Sequence, residues 1–229
     1  MSDVAPEKPK RAAAEEPRLR TSAEIERQWT VRVSKWLVRQ FTTHYHDLRI
    51  LTPFYATAET GGILASNHTA SLDPLLLQTA SPRTITWMMA REYSHAFGLQ
   101  WFFRAIEPIM VDRSGRDMAA TRAALRALKA GRLIGLFPEG RIETKRELME
   151  FQTGVALLAI KANVPVYPAF IDGPQRGRGM VEAFFSPTEL TVAFGPPIRF
   201  DPEASGREAL DDATAQIRAA IEGLSHLTP

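Results

Sequence analysis

Residues 48–229 alternate short apolar runs with longer stretches of helical periodicity, and this alternation leaves few possible folds. Six of the apolar runs are predicted as β-strands, over residues 62–66, 85–90, 108–111, 133–137, 166–171 and 190–194. Helices are predicted over residues 74–78, 97–103, 118–129, 155–162 and 209–224. Strands that alternate with helices form a largely parallel sheet with helices packed on its faces. The sequence therefore predicts a layered, mixed α/β fold with a mostly parallel sheet.

The composition fits one folded domain and excludes several classes of site. Hydrophobic residues make up 45% of the 229 residues and charged residues 24%, which is typical of globular proteins. Lys and Arg number 28 and Asp and Glu 26, a net charge of +2, which is too balanced to indicate nucleic-acid binding. The chain has no cysteine, so a disulfide framework, a thiolate nucleophile and a sulfur-ligated metal site are excluded.

The N-terminal part of the chain differs from the rest. Residues 1–21 mix proline, alanine and charges of both signs without apolar periodicity, which predicts a disordered tail. Residues 22–47 are predicted as one amphipathic helix and residues 48–229 as the folded domain. Because no apolar run is long enough to span a bilayer, we expect a soluble or peripheral protein of the cytoplasm.

The predicted N-terminal helix has an aromatic stripe flanked by cations. Ser22 is its expected capping residue, and the stripe consists of Ile25, Trp29, Val33, Trp36, Leu37 and Phe41. Arg32, Lys35 and Arg39 lie along one side of it. This pattern is typical of a helix lying in a membrane interface, where tryptophan and cations are favoured. The alternative is a surface helix that packs its apolar stripe on the protein's own core.

A histidine and an aspartate stand between the first predicted strand of the domain and the helix after it. His68 and Asp73 are five positions apart, in the segment Asn67-His68-Thr69-Ala70-Ser71-Leu72-Asp73. An aspartate at the start of that helix can accept a hydrogen bond from the imidazole, so that the other ring nitrogen can take a proton from a hydroxyl. The alternative is that His68 only caps the helix and Asp73 is an ordinary carboxylate of its first turn.

Three further segments follow predicted strands. Phe137-Pro138-Glu139-Gly140-Arg141 forms a tight turn that combines a carboxylate with a guanidinium suited to phosphate, or else a plain turn with an exposed ion pair. Arg113 follows another strand. In Val164-Pro165-Val166-Tyr167-Pro168, the second proline cannot donate to a sheet, which indicates an edge, a bulge or unusual geometry.

These segments, in this order, resemble the four blocks of the glycerolipid and lysophospholipid acyltransferase family. Asn67, His68, Ser71 and Asp73 match its Asn-His-x-x-x-x-Asp block, and Arg113 matches the arginine of the second block. Residues 137–140 match Phe-Pro-Glu-Gly, and residues 164–168 match Val-Pro-Val-x-Pro. The resemblance covers residues 61–173, about half of the chain, and four ordered blocks are far more specific than one.

The resemblance implies an O-acyltransferase of the 1-acylglycerol-3-phosphate type. The implied reaction moves a fatty acyl group from acyl-CoA or acyl carrier protein, a co-substrate, to 1-acyl-sn-glycerol-3-phosphate, giving phosphatidate. His68 is the implied general base, oriented by Asp73, and Arg113, Glu139, Gly140 and Arg141 are the implied acceptor-binding residues. We expect no cofactor, no metal and no nucleic acid, and a peripheral contact of residues 22–45 with the cytoplasmic face of the membrane.

Two departures from the family pattern affect the acceptor. Arg141 stands where the commoner third block has threonine, as in relatives that reacylate lysophospholipids such as 2-acylglycerophosphoethanolamine. Gln152 follows Phe151, where relatives often have lysine, and its presence removes one cation from the approach to the site. A lysophosphatidylethanolamine-type acceptor therefore stays open as an alternative.

Several other interpretations also stay open. An acyl hydrolase would use Ser71 or Ser66, although neither lies in a Gly-x-Ser-x-Gly elbow. A non-catalytic membrane-surface protein would keep the fold and the amphipathic helix but would have no catalytic activity. Residues 44–47 could be drawn as a metal site, but a histidine at a helix end is favoured without a metal. An aromatic group predicts either core or the wall of an acyl channel: Phe97, Trp101, Phe102 and Phe103.

Overall fold

The computed structural model describes residues 18–56, 61–92, 106–112, 117–142, 148–173 and 180–228. Seven strands form one sheet: β1 (Leu48–Ile50), β2 (Gly62–Ser66), β3 (Ile85–Ala90), β4 (Ile109–Val111), β5 (Leu133–Leu136), β6 (Val166–Asp172) and β7 (Leu190–Phe194). Their spatial order is β1-β7-β6-β2-β5-β3-β4. Only β6 and β7 pair antiparallel among these neighbours, and the other pairs are parallel. The predicted mostly parallel α/β architecture is confirmed.

Seven helices are described. They are α1 (Ser22–Glu26), α2 (Trp29–Gln40), α3 (Asp73–Ala80), α4 (Met118–Lys129), α5 (Gly154–Ala162), α6 (Met180–Phe185) and α7 (Gly206–Leu224). A π-helical turn, Phe41–Tyr45, extends α2, and a 3₁₀ turn, Ser225–Leu227, follows α7. The sequence did not predict β1 or α6, which are three and six residues long and carry only a weak periodic pattern.

The two faces of the sheet carry separate apolar cores. One face is covered by α4, α5 and α7, whose buried residues include Ala124, Val155 and Ile217. The other face is covered by α3, through Leu76 and Leu77. The adjacent strands β2 and β5 are thus followed by helices on opposite faces, α3 after β2 and α5 after β5. In open α/β sheets, a ligand crevice lies at the carboxyl ends of two such strands.

The N-terminal segment is two helices, so the predicted single helix over 22–47 is wrong. Thr21, not Ser22, caps α1: its hydroxyl accepts from the amide of Glu24, and the Glu24 carboxylate accepts from the amide of Thr21. This capping box starts a short helix that ends at Glu26. The break before α2 lets Ile25 and Val31 pack together in a small buried cluster of their own.

The outer face of α2 carries the large apolar side chains. Trp29 is 73% exposed and Trp36 60%, and Val33 and Leu37 lie beside them. The inward face carries small residues, among them Val31 and Ser34, which are buried. These four exposed members of the stripe therefore do not pack on the protein's own core. Phe41, also predicted in the stripe, is half-buried, and its ring stacks on that of Phe184 with centroids 4.7 Å apart. Ile25 does not belong to this exposed face either, because it is buried on the other side of the helix break.

Lys35 does not join Arg32 and Arg39 on an exposed flank. Its ammonium donates a hydrogen bond to the carbonyl of Pro82 at 2.8 Å, and partial burial lowers the pKa of Lys35, an effect that the nearby Glu26 carboxylate opposes. Lys35 therefore ties α2 to the loop before β3. Arg32 and Arg39 are the exposed cations on this helix.

Pro168 lies in an interior strand, so the edge interpretation is wrong. β6 is flanked by β2 and β7, and Pro168 is the register partner of Ala65 in β2. On the β7 side, the regular ladder begins at Ala169, one residue later, and Val166 makes only an isolated bridge. Pro168 has no amide hydrogen to donate and lies just before the regular β6–β7 ladder begins, where its carbonyl accepts from the amide of Gly195 at 2.9 Å.

Several predicted features lie outside the described residues: Arg113, residues 1–17, and the aromatic group Phe97, Trp101, Phe102 and Phe103. Among the helices that are described, none is long and apolar enough to cross a bilayer. Within the same described ranges, no three His, Asp or Glu side chains are grouped so that they could hold a metal ion.

Candidate functional site

His68 and Asp73 meet at the carboxyl end of β2, in the crevice between β2 and β5. The Nδ1 atom of His68 lies 2.9 Å from the Oδ2 atom of Asp73, which is the hydrogen bond that their spacing predicts. Asp73 is the first residue of α3 and is fully buried, whereas 16% of the His68 side chain is exposed. The histidine is thus anchored from inside and reaches the solvent side of the crevice.

The Asp73 carboxylate is held by several donors. Besides the imidazole, it accepts hydrogen bonds from the amides of Thr69 at 2.6 Å and Ala70 at 2.9 Å, and from the Thr69 hydroxyl at 3.2 Å. Because an ionised carboxylate only accepts, this network assigns the hydrogen to Nδ1 of neutral His68. The lone pair of Nε2 then remains to take a proton from a hydroxyl.

Asn67, whose role the sequence did not indicate, joins the end of β2 to β6. Its amide nitrogen donates to the carbonyl of Ile171 at 2.8 Å, and its amide oxygen accepts from the Ile171 amide at 2.8 Å. The side chain imitates a backbone pairing where the two strands separate. Ser66, one residue earlier, is fully buried and its hydroxyl donates to the Asn67 amide oxygen.

The Glu139–Gly140 turn follows β5, the neighbour of β2. The amide of Gly140 donates to the carbonyl of Phe137 at 3.0 Å, which closes the turn. Gly140 has a φ of +71°, a left-handed conformation that residues with a Cβ rarely adopt, so the turn favours glycine. A Cβ there would also lie 2.7 Å from the side-chain Nε2 of Gln152. The amide of Gln152 in turn donates to the carbonyl of Pro138, which fixes the turn against the segment before α5. Glu139 is 5% exposed.

Phe137 connects this turn to the histidine, a contact that sequence reasoning missed. Its ring lies face to face with the His68 imidazole, with ring centroids 4.0 Å apart and planes 10° from parallel. The two residues meet because Ala65 of β2 pairs in register with Leu136 of β5, three residues before His68 and one residue before Phe137. No local pattern signals such a contact, since it depends on the register of two strands distant in sequence.

Of the two predicted arginines, the structure describes Arg141 but not Arg113. Arg141 is exposed, and its Nε lies 3.2 Å from the sulfur of Met149. Arg113 is outside the described residues, but the positions on either side are described: Asp112 follows β4, and its amide donates to the carboxylate of Asp117 at 2.9 Å. Amide donors at Ala120 and Asp112 lower the pKa of Asp117. The structure therefore brings together His68, Asp73 and the Glu139–Gly140 turn among the predicted residues.

Comparisons with known proteins identify the family to which the chain is similar. A sequence model of the Acyltransferase family matches residues 20–172. The 1-acyl-sn-glycerol-3-phosphate acyltransferase of Bacillus subtilis is 24% identical over 142 residues, which are 62% of this chain and 68% of that protein. Its counterpart in Pseudomonas aeruginosa is 23% identical over 202 residues, 86% of this chain and 76% of that protein.

A solved structure shares the fold. The 1-acyl-sn-glycerophosphate acyltransferase PlsC from Thermotoga maritima superposes with a TM-score of 0.65 at 21% sequence identity, covering 86% of this chain and 81% of that one. The family match spans more than half of the 229 residues and contains all four sequence blocks. The chain therefore belongs to the Acyltransferase family and is an O-acyltransferase.

Proposed function

We propose that this chain transfers a fatty acyl group from acyl-CoA or acyl carrier protein to the free hydroxyl of a lysophospholipid. The proposed acceptor is 1-acyl-sn-glycerol-3-phosphate and the proposed product phosphatidate. The hydrogen bond between His68 and a fully buried Asp73, in the crevice between β2 and β5, is the observation that carries this proposal. The names of the relatives support the choice of acceptor.

In the proposed mechanism, His68 is the general base and Asp73 orients it. Nε2 takes the proton of the acceptor hydroxyl as its oxygen attacks the thioester carbonyl. The carbon–sulfur bond then breaks, and the proton passes from the imidazolium to the departing thiolate. No acyl-enzyme forms in this mechanism, which is compatible with a chain that has no cysteine.

The acceptor phosphate is proposed to bind beside the histidine. Arg113, two residues after β4 in the sequence, and Arg141 would donate charge-assisted hydrogen bonds to it, while Glu139 and Gly140 shape the turn. The ring contact between Phe137 and His68 supports this placement, because it holds the turn next to the proposed base. A lysophosphatidylethanolamine-type acceptor is the alternative, and it would rely less on Arg141.

We also propose that α2 binds the cytoplasmic face of the membrane as a peripheral contact. Trp29, Val33, Trp36 and Arg32 are exposed together on its outer face. Exposed tryptophan beside arginine is favoured at the boundary between lipid headgroups and acyl chains, and arginine is attracted to anionic lipid. This contact would place the enzyme where its lipid substrates reside.

A thioester-release assay with a panel of lysolipids tests the proposed reaction. Acceptor-dependent release of the thiol supports acyl transfer, whereas release without acceptor would identify an acyl hydrolase. An absence of release with every donor and acceptor would identify a non-catalytic binding protein. The burial of Ser66 and its hydrogen bond to Asn67 disfavour it as a hydrolase nucleophile.

A further inference from the structure

Three aromatic rings, carried by β3 and by the segments that follow β2 and β5, stack in sequence, and the first is the imidazole of His68. The ring of Phe137 is stacked on it at 4.0 Å between centroids. The ring of Trp87, from β3, is stacked on Phe137 in turn, at 5.4 Å between centroids and with planes 11° from parallel. The ring stack formed by His68, Phe137 and Trp87 thus runs across β2, β5 and β3.

The ring stack depends on a glycine in the middle strand. Trp87 pairs in register with Gly135 of β5, two residues before Phe137. A Cβ at Gly135 would lie 2.6 Å from the Trp87 ring and 2.5 Å from Ile85, closer than side-chain atoms approach. Glycine therefore lets the indole lie over β5 and reach Phe137. Trp87 is 7% exposed, so the surrounding core fixes its ring.

The ring stack supplies a restraint that Asp73 does not. One hydrogen bond at Nδ1 fixes the position of that atom but leaves the imidazole able to tilt about the bond. A flat ring against the face of the imidazole restricts this tilt, and hence the position of Nε2. Small misplacements of a reacting group reduce rates strongly, by as much as about 10²-fold for a displacement of about 1 Å.

We infer that Phe137 is a positioning residue that sets the plane of the His68 imidazole, and that Trp87 supports Phe137. This inference rests on the proposed role of His68 as the general base. Because Phe137 also opens the turn that carries Glu139 and Gly140, the same side chain fixes the base relative to the proposed acceptor-binding turn.

Kinetics of paired variants test the positioning role. Phe137→Leu should lower kcat about tenfold or more and change the KM of either substrate less, because the proton transfer is misaligned while the binding groups remain. Phe137→Tyr keeps a flat ring and should retain most of the turnover. Trp87→Leu should lower kcat less than Phe137→Leu, and Trp87→Phe less again.

Phe194→Leu is the matched control. Phe194 belongs to the same apolar cluster as Trp87 but packs on Phe54, at 4.9 Å between ring centroids. Its loss should lower the thermal unfolding midpoint while kcat at a permissive temperature stays near that of the parent. If Phe137→Leu lowers kcat no more than Phe194→Leu does, Phe137 is a core residue and the inference is overturned.

The NMR resonances of His68 provide a readout that a purely structural role would not move. Protons held over the face of a phenyl ring are shielded by its ring current, so the ring protons of His68 should resonate upfield in the parent. They should move downfield in Phe137→Leu and stay in place in Phe194→Leu. Unmoved resonances in Phe137→Leu would contradict the ring stack.

Different results would contradict the proposed function and the positioning role of Phe137. A folded His68→Ala protein with near-normal turnover removes the proposed base, whatever Phe137 does. An inactive His68→Ala protein combined with a fully active Phe137→Leu protein removes the positioning role alone.

Discussion

The outer face of α2 and the ring stack at the site use the same kinds of side chain in opposite environments. Trp29 and Trp36 are largely exposed on α2, whereas Trp87 is buried under Phe137. A buried indole is fixed by its neighbours and can hold another ring in place. An exposed one gains its favourable contacts only from something outside the protein. Substitutions in the ring stack should therefore reduce turnover, and substitutions on the outer face of α2 should reduce membrane binding.

The polar groups of the two regions likewise differ in burial. At the site, the Asp73 carboxylate is surrounded by donors from its own chain, including the amides of Thr69 and Ala70. On α2, Arg32 and Arg39 are exposed to solvent. A fixed, buried carboxylate suits the alignment of a catalytic group, while exposed cations suit attraction to an anionic surface that salt weakens. Four predictions test this separation, from the largest expected effect to the smallest.

Loss of the proposed base should have the largest effect. We expect His68→Ala to reduce turnover by at least about 10²-fold, since general-base catalysis contributes about 10²–10⁴-fold. Binding to anionic liposomes should be unchanged, because His68 does not belong to the outer face of α2. Turnover is measured by thioester release, with circular dichroism to establish folding. His44→Ala, at an exposed histidine, is the control. Near-normal turnover in folded His68→Ala would falsify the mechanism.

Removal of the exposed indoles should have the converse effect. We expect the double variant Trp29→Ser, Trp36→Ser to bind anionic liposomes about 10²-fold more weakly, because each large apolar side chain contributes about 1.5–3 kcal/mol when removed from water. Acylation of monomeric lysolipid should be retained. Flotation with liposomes at low and high salt measures the binding.

Leu227→Ser is the matched control for this pair, since Leu227 is a large exposed apolar residue at the other end of the chain. It should float with liposomes as well as the parent. Lys35→Met should also leave the salt dependence unchanged, because Lys35 is bound to the Pro82 carbonyl. If the double tryptophan variant floats as the parent does, the α2 face is not a membrane contact.

The proposed phosphate contacts should give an intermediate effect confined to the site. We expect Arg113→Ala to raise the KM for the lysolipid about tenfold, since a charge-assisted hydrogen bond contributes about 1.5–3 kcal/mol. Arg113→Lys should restore binding only in part, because an ammonium lacks the paired donors of a guanidinium. Liposome binding should not change. Initial rates with varied acceptor and varied donor make the measurement.

Arg141→Ala distinguishes the acceptors in the same assay. With 1-acyl-sn-glycerol-3-phosphate, whose phosphate is terminal, both arginine variants should raise the acceptor KM strongly. With lysophosphatidylethanolamine, Arg141→Ala should matter less than Arg113→Ala. An increase in the donor KM alone would assign both arginines to the acyl donor.

Protonation of His46, which lies where the N-terminal helices join the sheet, should have the smallest effect, a loss of folding stability at low pH. This histidine is fully buried against the rings of Phe41 and Tyr45, and burial lowers the pKa of His46, an effect that a backbone hydrogen bond to Phe184 opposes. The unfolded chain therefore binds a proton more readily than the folded one as the pH falls below the ordinary histidine value of 6.5.

The stability that His46 contributes is thus complete above about pH 6.5 and is lost as the pH falls through the pKa of the folded state. Thermal unfolding midpoints between pH 8 and pH 5 measure this loss, and His46→Phe should reduce the slope, whereas His44→Gln should not. An equal slope in the parent and in His46→Phe would contradict the assignment.

The sequence by itself determined the features that depend on neighbouring residues. The strands over 62–66, 85–90 and 190–194 follow from runs of apolar residues, and the end of α4 follows from Gly131, which has a φ of +75°. The hydrogen bond between His68 and Asp73 also follows from local spacing, because a helix that starts at Asp73 turns its carboxylate back toward the preceding loop. The four ordered blocks then indicated the family.

Only the tertiary structure decided the features that join distant segments. The contacts of α2 with the rest of the protein, among them the hydrogen bond from Lys35 to the Pro82 carbonyl, decided that its tryptophans face outward. The periodicity of α2 alone does not show which face is exposed. The contact of Phe137 with His68 and Trp87 required the registers of β2, β5 and β3, set by residues far apart in the chain. Local patterns specify local conformation, whereas the position of a ring over another ring depends on backbone pairing and on close packing across the sheet.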